Sequence, residues 1–151
     1  MPRVDYYAIE EKLGQVLRDS PLLQDVPVIV EGEVDFALGQ TPWIGVYLER
    51  RDPAPGQRLD AGQSTRYRAR FSVWCWEMSL ESTALAIKKR DDYISRIEQV
   101  LMGNRTLDDL VDMLWLEGGE MPSGRMESDN AVAFLSGGET IVIAEFDTTT
   151  T

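Results

Sequence analysis

The sequence predicts an α+β fold. A single, mostly antiparallel β-sheet carries two amphipathic helices on one face and a long projecting β-hairpin loop. Three observations lead there. Segments 5–18 and 81–102 place apolar residues at helical spacing. Short runs between and after them alternate apolar and polar residues with period two. The order of helix, three strands, helix, three strands leaves two apolar stripes, and one sheet can bury both on the same side. At 151 residues the chain is the size of one domain, here 1–147, with 148–151 as a frayed tail.

Each element has its own signal. In the first helix Tyr6, Ile9, Leu13, Val16 and Leu17 share a stripe; Asp5 can cap the start and Pro21 stops the chain beyond Ser20. VPVIVEGEV (26–34) is short and β-branched and reads as a strand, followed by a turn at 37–42. WIGVYLER (43–50) alternates Ile44, Val46 and Leu48 against Trp43, Tyr47 and Glu49. Residues 51–64 hold two prolines and two glycines and almost nothing apolar. Hairpin loops usually run about 2–5 residues, so this one is expected to project and to serve a purpose. The second helix has Ala84, Ile87, Ile94, Ile97 and Leu101 on one stripe and Lys88, Lys89, Arg90, Asp91, Asp92 and Glu98 facing out, with Ser79 as cap and Gly103 at its end. A short helical turn at 106–112 follows, then a glycine-broken strand at 113–121. A strand at 130–135 turns at Gly137-Gly138 into the closing strand 139–146.

RYRARFSVWCWEM (66–78) poses the functional question. As a strand it sets Tyr67, Ala69, Phe71, Val73 and Cys75 on one face and Arg66, Arg68, Arg70, Ser72, Trp74, Trp76 and Met78 on the other. Glu49 on the preceding strand can satisfy Arg66 or Arg68, which leaves Arg50, Arg51, Arg58 and Arg70 unexplained. Two arrangements fit. The tryptophans lie under the helices with the arginines at the outer ends of a buried face, or the whole face is free for a partner. Arginine with Trp and Tyr is the composition of interface centres.

Composition narrows the chemistry. The chain has no histidine, which excludes Ser-His-Asp and Cys-His catalysis and most transition-metal sites. Asp91/Asp92 and Asp108/Asp109 are adjacent on helical segments and point about 100° apart. The acids 108–117 match no calcium loop. No lysine follows a glycine-rich loop. Cys75, the single cysteine, sits on the apolar face as a small buried hydrophobe. No catalytic residue, metal or cofactor is expected. No apolar run approaches about 18 residues and no signal peptide opens the chain, so it reads as soluble, intracellular and free of the membrane.

Net charge is −11 and unevenly placed. Residues 1–103 hold 13 basic against 16 acidic side chains; residues 104–151 hold 2 against 10. Between 50 and 70 six arginines stand against Asp52 and Asp60. Nucleic-acid binding by the arginine strand is opposed by the acidic whole. A basic patch and an acidic patch on one chain are complementary to each other, and one of each suffices for a head-to-tail contact that closes into a ring. The expected subunit interface is Arg50, Arg51, Arg58, Arg66, Arg68, Arg70, Trp74 and Trp76. Glu117, Glu120, Glu127 and Asp129 are the acidic partner or lumen residues.

The opening helix YYAIEEKLGQVL, the helix ESTALAIKKRDDYISRIEQVL after an aromatic strand, and the ending GGETIVIAEF give a layout over residues 5–147 that resembles the tail terminator (tail-completion, minor tail) proteins of tailed bacteriophages. The resemblance rests on layout and implies no enzymatic activity. It implies a virion protein forming a ring, commonly hexameric, that caps the tail tube and stops its polymerisation. The partners implied are copies of itself, the tube protein and head-side neck or connector proteins, with DNA passing through an acidic lumen unbound. Another neck or tail component (a head-completion protein or tube subunit) and a small binding module are the alternatives.

Overall fold

The computed structural model describes residues 4–31, 42–56, 65–128 and 131–148. Six strands form one sheet in the order β1-β2-β3-β6-β4, with β5 also paired to β6. The strands are β1 (Val28–Val30), β2 (Trp43–Pro53), β3 (Thr65–Ser79), β4 (Met113–Glu117), β5 (Ser123–Ser128) and β6 (Ala131–Thr148); the helices are α1 (Tyr6–Asp19) and α2 (Thr83–Met102). β1 runs parallel to β2 and every other pairing is antiparallel. The α+β class and the single, mostly antiparallel sheet are therefore as expected. Of the projecting hairpin loop, residues 51–53 are strand, paired to 67–69, and residues 57–64 with Arg58 lie outside the described residues.

Both helices start on a side-chain cap. Asp5 accepts the Ala8 N–H at 3.0 Å, and Ser82 accepts the Leu85 N–H at 3.1 Å. Ser79, expected as the second cap, instead accepts from Glu81 and Ser82 just ahead of it. The helices bury Ile9, Leu13, Leu17, Ile97, Val100 and Leu101 against Ile44, Val46, Phe71, Val73 and Val142 of the sheet. Tyr67, Ala69, Phe71, Val73 and Cys75 all lie in this core, so the alternation read from β3 holds. Burial pushes the Cys75 thiol up to about 12, which makes it inert.

Several expectations are corrected. Ala84 is exposed, and the N-terminal half of α2 buries Ala86 and Arg90 instead. Arg90 does not face out. Its guanidinium reaches the Met121 and Gly137 carbonyls and the Asp91 carboxylate, and this set of acceptors makes burial of the charge tolerable. Gly137-Gly138 makes no turn, since β6 runs straight through it, paired with Trp76 and Cys75. The glycines are needed for close approach: a side chain at Gly137 would enter the Trp76 ring, and one at Gly138 would meet Ile94. β5, unrecognised in the sequence, forms the second half of the edge begun by β4. The segment after α2 is not a right-handed helical turn. Leu107, Asp108 and Asp109 have φ of 48°, 55° and 66°, a left-handed run that costs about 1–2 kcal/mol per residue. Burial of Leu107 and the hydrogen bond from Asp109 N–H to Thr106 Oγ1 oppose that cost.

With both helices on one side, the opposite face of the sheet has no helix over it among the described residues. Among the same residues no helix is long and apolar enough to cross a membrane.

Candidate interaction surface

The uncovered face is built by strand parity and one irregularity. Register places Trp43 beside Trp76 and Gly137, and Ile29, Gly45, Trp74 and Glu139 in the next row. Tyr47, Ser72, Ile141 and Glu117 follow, then Arg50, Arg70, Ile143 and Trp115. A bulge between Leu48 and Arg50 resets β2. It turns Arg50 and Asp52 onto this face and Arg51 onto the helix side, where its guanidinium lies 5.7 Å from the Tyr6 ring centre. The bulge also corrects the pairing of Glu49, which meets Arg70 at 3.3 Å rather than Arg66 or Arg68.

The face has two ends. At the aromatic end Trp74 and Trp76 stack, with centroids 5.3 Å apart and an interplanar angle of 8°. Trp43 and Tyr47 close over Gly45, and Trp76 lies over Gly137. Ile29 is exposed beside them. The tryptophans are thus not under the helices; Trp74 and Trp76 lie half-buried on the open side of the sheet, beside buried Trp43. Gly137→Ala should lift Trp76 and break the stack, at a cost of about 1–3 kcal/mol. The loss of near-ultraviolet circular dichroism from the coupled indoles, with far-ultraviolet signal retained, checks it.

At the charged end the arginines are paired inside their own chain. Arg66 is shared by Glu145, Asp112 and Asp147, the latter two at 2.9 Å. Arg50 holds Asp52 through two hydrogen bonds, at 2.7 and 3.1 Å. Arg68 stands 5.2 Å from the centre of the Trp115 ring and 3.7 Å from Glu145. The two charge-rich parts of the sequence, 50–70 and the acidic last third, therefore meet within one molecule. The premise that Arg50, Arg51 and Arg70 lack partners is corrected.

Of the acidic residues singled out, Glu117 borders a cavity at this end, Glu120 is exposed, Glu127 pairs with Arg125 at 2.7 Å, and Asp129 lies outside the described residues. None of the described arginines between 50 and 70 pairs with Glu117, Glu120 or Glu127. The partners that sequence reasoning missed are Asp112, Glu145, Asp147 and Trp115. Alternation along β6 places Glu139, Ile141, Ile143, Glu145 and Asp147 on one face, and that signal becomes decisive only once β6 is set beside β3.

Among the described residues no cluster of three or more acidic or cysteine side chains could hold a metal ion. The sequence matches no protein-family model and no curated protein.

Proposed function

We propose that this chain is a non-catalytic structural subunit that associates with copies of itself, and that the assembly is the ring capping a bacteriophage tail tube, stopping its growth and meeting the head-side neck proteins. The observation that carries self-association is the sheet face without a helix over it, with a stacked tryptophan pair at its surface. Sheets are ordinarily covered by a second layer on their apolar faces, and the described residues supply none on this side. The layout of helices and strands supports the phage assignment, and the net charge of −11 suits a lumen through which DNA slides without adhering.

Bulk charge complementarity between copies does not carry the contact, because Arg66 and Arg68 already meet carboxylates of the last third within one chain. The uncovered face supports contact as such, and the symmetry is a matter for measurement. Sedimentation equilibrium and native mass should give a narrow species at a multiple of 17.0 kDa. A monomer at every concentration, with and without tail tubes, would point to a binding module and reject the ring.

A further inference from the structure

The arginines of the open face differ in how far they are satisfied. Arg50 and Arg66 donate short hydrogen bonds to carboxylates. Arg68 and Arg70 donate none among the described residues. Each makes only a longer ion pair, and the Nε of each is buried without a hydrogen-bond acceptor. Glu145, which Arg68 approaches at 3.7 Å, is already hydrogen-bonded by Arg66. Glu49 meets Arg70 at 3.3 Å without hydrogen-bond geometry. Both unsatisfied guanidiniums line one cavity of about 370 Å³, with Trp115 and Ile143 as its apolar wall. Arg68 is stacked over Trp115, which fixes the plane of its fork.

Beside an indole, these two planar forks, on side chains 39% and 42% exposed, suit a carboxylate on a short arm. The same chain presents one. Glu120 is exposed next to Met121, which is 45% exposed, on the segment joining β4 to β5. That segment is held firmly: Glu120 N–H donates to Glu139 Oε1, Glu139 N–H donates to the Glu120 carbonyl, and Arg90 Nη1 donates to the Met121 carbonyl. The exposed Glu120 carboxylate is therefore offered with little ordering cost, while the Met121 sulfur lies beside Gly138 and Ile94 of its own chain. Glu120 does not line the cavity in its own subunit.

We infer that the Arg68–Arg70–Trp115 notch is an acceptor for the Glu120–Met121 corner of a second copy. The carboxylate enters between the guanidinium forks beside the indole, and Met121 anchors the corner in its own subunit. This rests on the self-association proposed above and names its contact.

The test is a charge swap read by sedimentation equilibrium. Arg70→Glu alone and Glu120→Arg alone should each weaken self-association about thirtyfold or more, and the double variant should recover most of it. Glutamate at 70 would face Arg50 across the strand pair but also stand beside Glu49, both partly exposed; near-ultraviolet circular dichroism checks that the fold is kept. Arg68→Lys is the second variant. It keeps the charge, loses the fork, and should weaken association about tenfold with the fold unchanged. If the wild type associates but the single reversals leave it intact, or the double fails to recover, the notch assignment is wrong and the ring proposal stands. If the wild type does not associate, both fall.

Discussion

Unfolding in urea should show this protein losing about 3 kcal/mol of stability between pH 5 and pH 9, and Glu10→Gln should remove most of that loss. Glu10 lies on α1, 2% exposed, with Oε1 lacking a hydrogen-bond partner among the described residues. Burial, then the hydrogen bond that the protonated group donates to Glu31 and the charge of Glu31, push its carboxyl up to about 8. Glu31 in turn accepts the Leu48 N–H of β2 at 2.9 Å, and Tyr47 and Glu11 complete the surroundings. The unfolded chain releases this proton near pH 4.3. The folded state thus binds more protons than the unfolded state between about 4 and 8. Stability from this group is complete below the lower value and is lost as pH rises through the upper one. A gap of this size between the folded and unfolded values corresponds to a contribution of about 3 kcal/mol or somewhat more. Glutamine keeps the shape and the donor and has nothing to ionise. The variant should match the wild type within about 1 kcal/mol at pH 5 and exceed it by about 3 kcal/mol at pH 9. Some slope persists, because burial also raises Glu77. A variant whose slope equals that of the wild type would place the linked proton elsewhere.

Glu10 shows where the sequence stops being informative. It follows Ile9 and stands four residues after Tyr6 and three before Leu13, at the border of the apolar stripe, but its residue type reads as solvated, like Glu11, which is only half-buried. Local signals were enough for α1, α2, the alternation of β2 and β3, and the class of fold, because periods of 3.6 and 2 are written in adjacent residues. What needed long-range pairing was not legible. The Gly137-Gly138 pair looks like a turn until Trp76 is found lying on Gly137. Arg90 looks solvated until the carbonyls of Met121, between β4 and β5, and Gly137, in β6, converge on it. The bulge after Leu48 moves Arg50 and Arg51 to opposite faces, and a one-residue shift in register leaves no mark in composition.

The charge asymmetry illustrates the same limit with more consequence. An arginine-rich segment and an acidic last third suggest complementary patches, but composition cannot distinguish attraction within a chain from attraction between chains. Antiparallel pairing of β3 with β6 sets Arg66 opposite Asp147 and Arg68 opposite Glu145. Most of these pairs are partly solvated and contribute about 0–1 kcal/mol each. They neutralise the face more than they stabilise it. What distinguishes this end is the incompleteness at Arg68 and Arg70.

Replacing Trp74 and Trp76 together by alanine should weaken self-association about a hundredfold or more while the domain still folds. Truncated tryptophans at interface centres typically cost about 2 kcal/mol or more each. Here the two rings form one flat stacked surface with Ile29 and Trp43 around it. Both are only half-buried in the isolated chain, so a partner that covers them removes further apolar area from water. The folding cost should be smaller, about 1–3 kcal/mol, since the core beneath consists of Phe71, Val73 and Cys75 on the other side of the strand. Leu110→Ala is the control. Leu110 is 43% exposed and sits by α1, on the helix side of the molecule. If association depends on exposed apolar area of any kind, both variants lose it. If it depends on the open sheet face, only the tryptophan variant does, and its urea midpoint falls far less than its association constant. A double variant that assembles like the wild type would show that copies meet through another surface, and the uncovered face would then have to be assigned to a different protein.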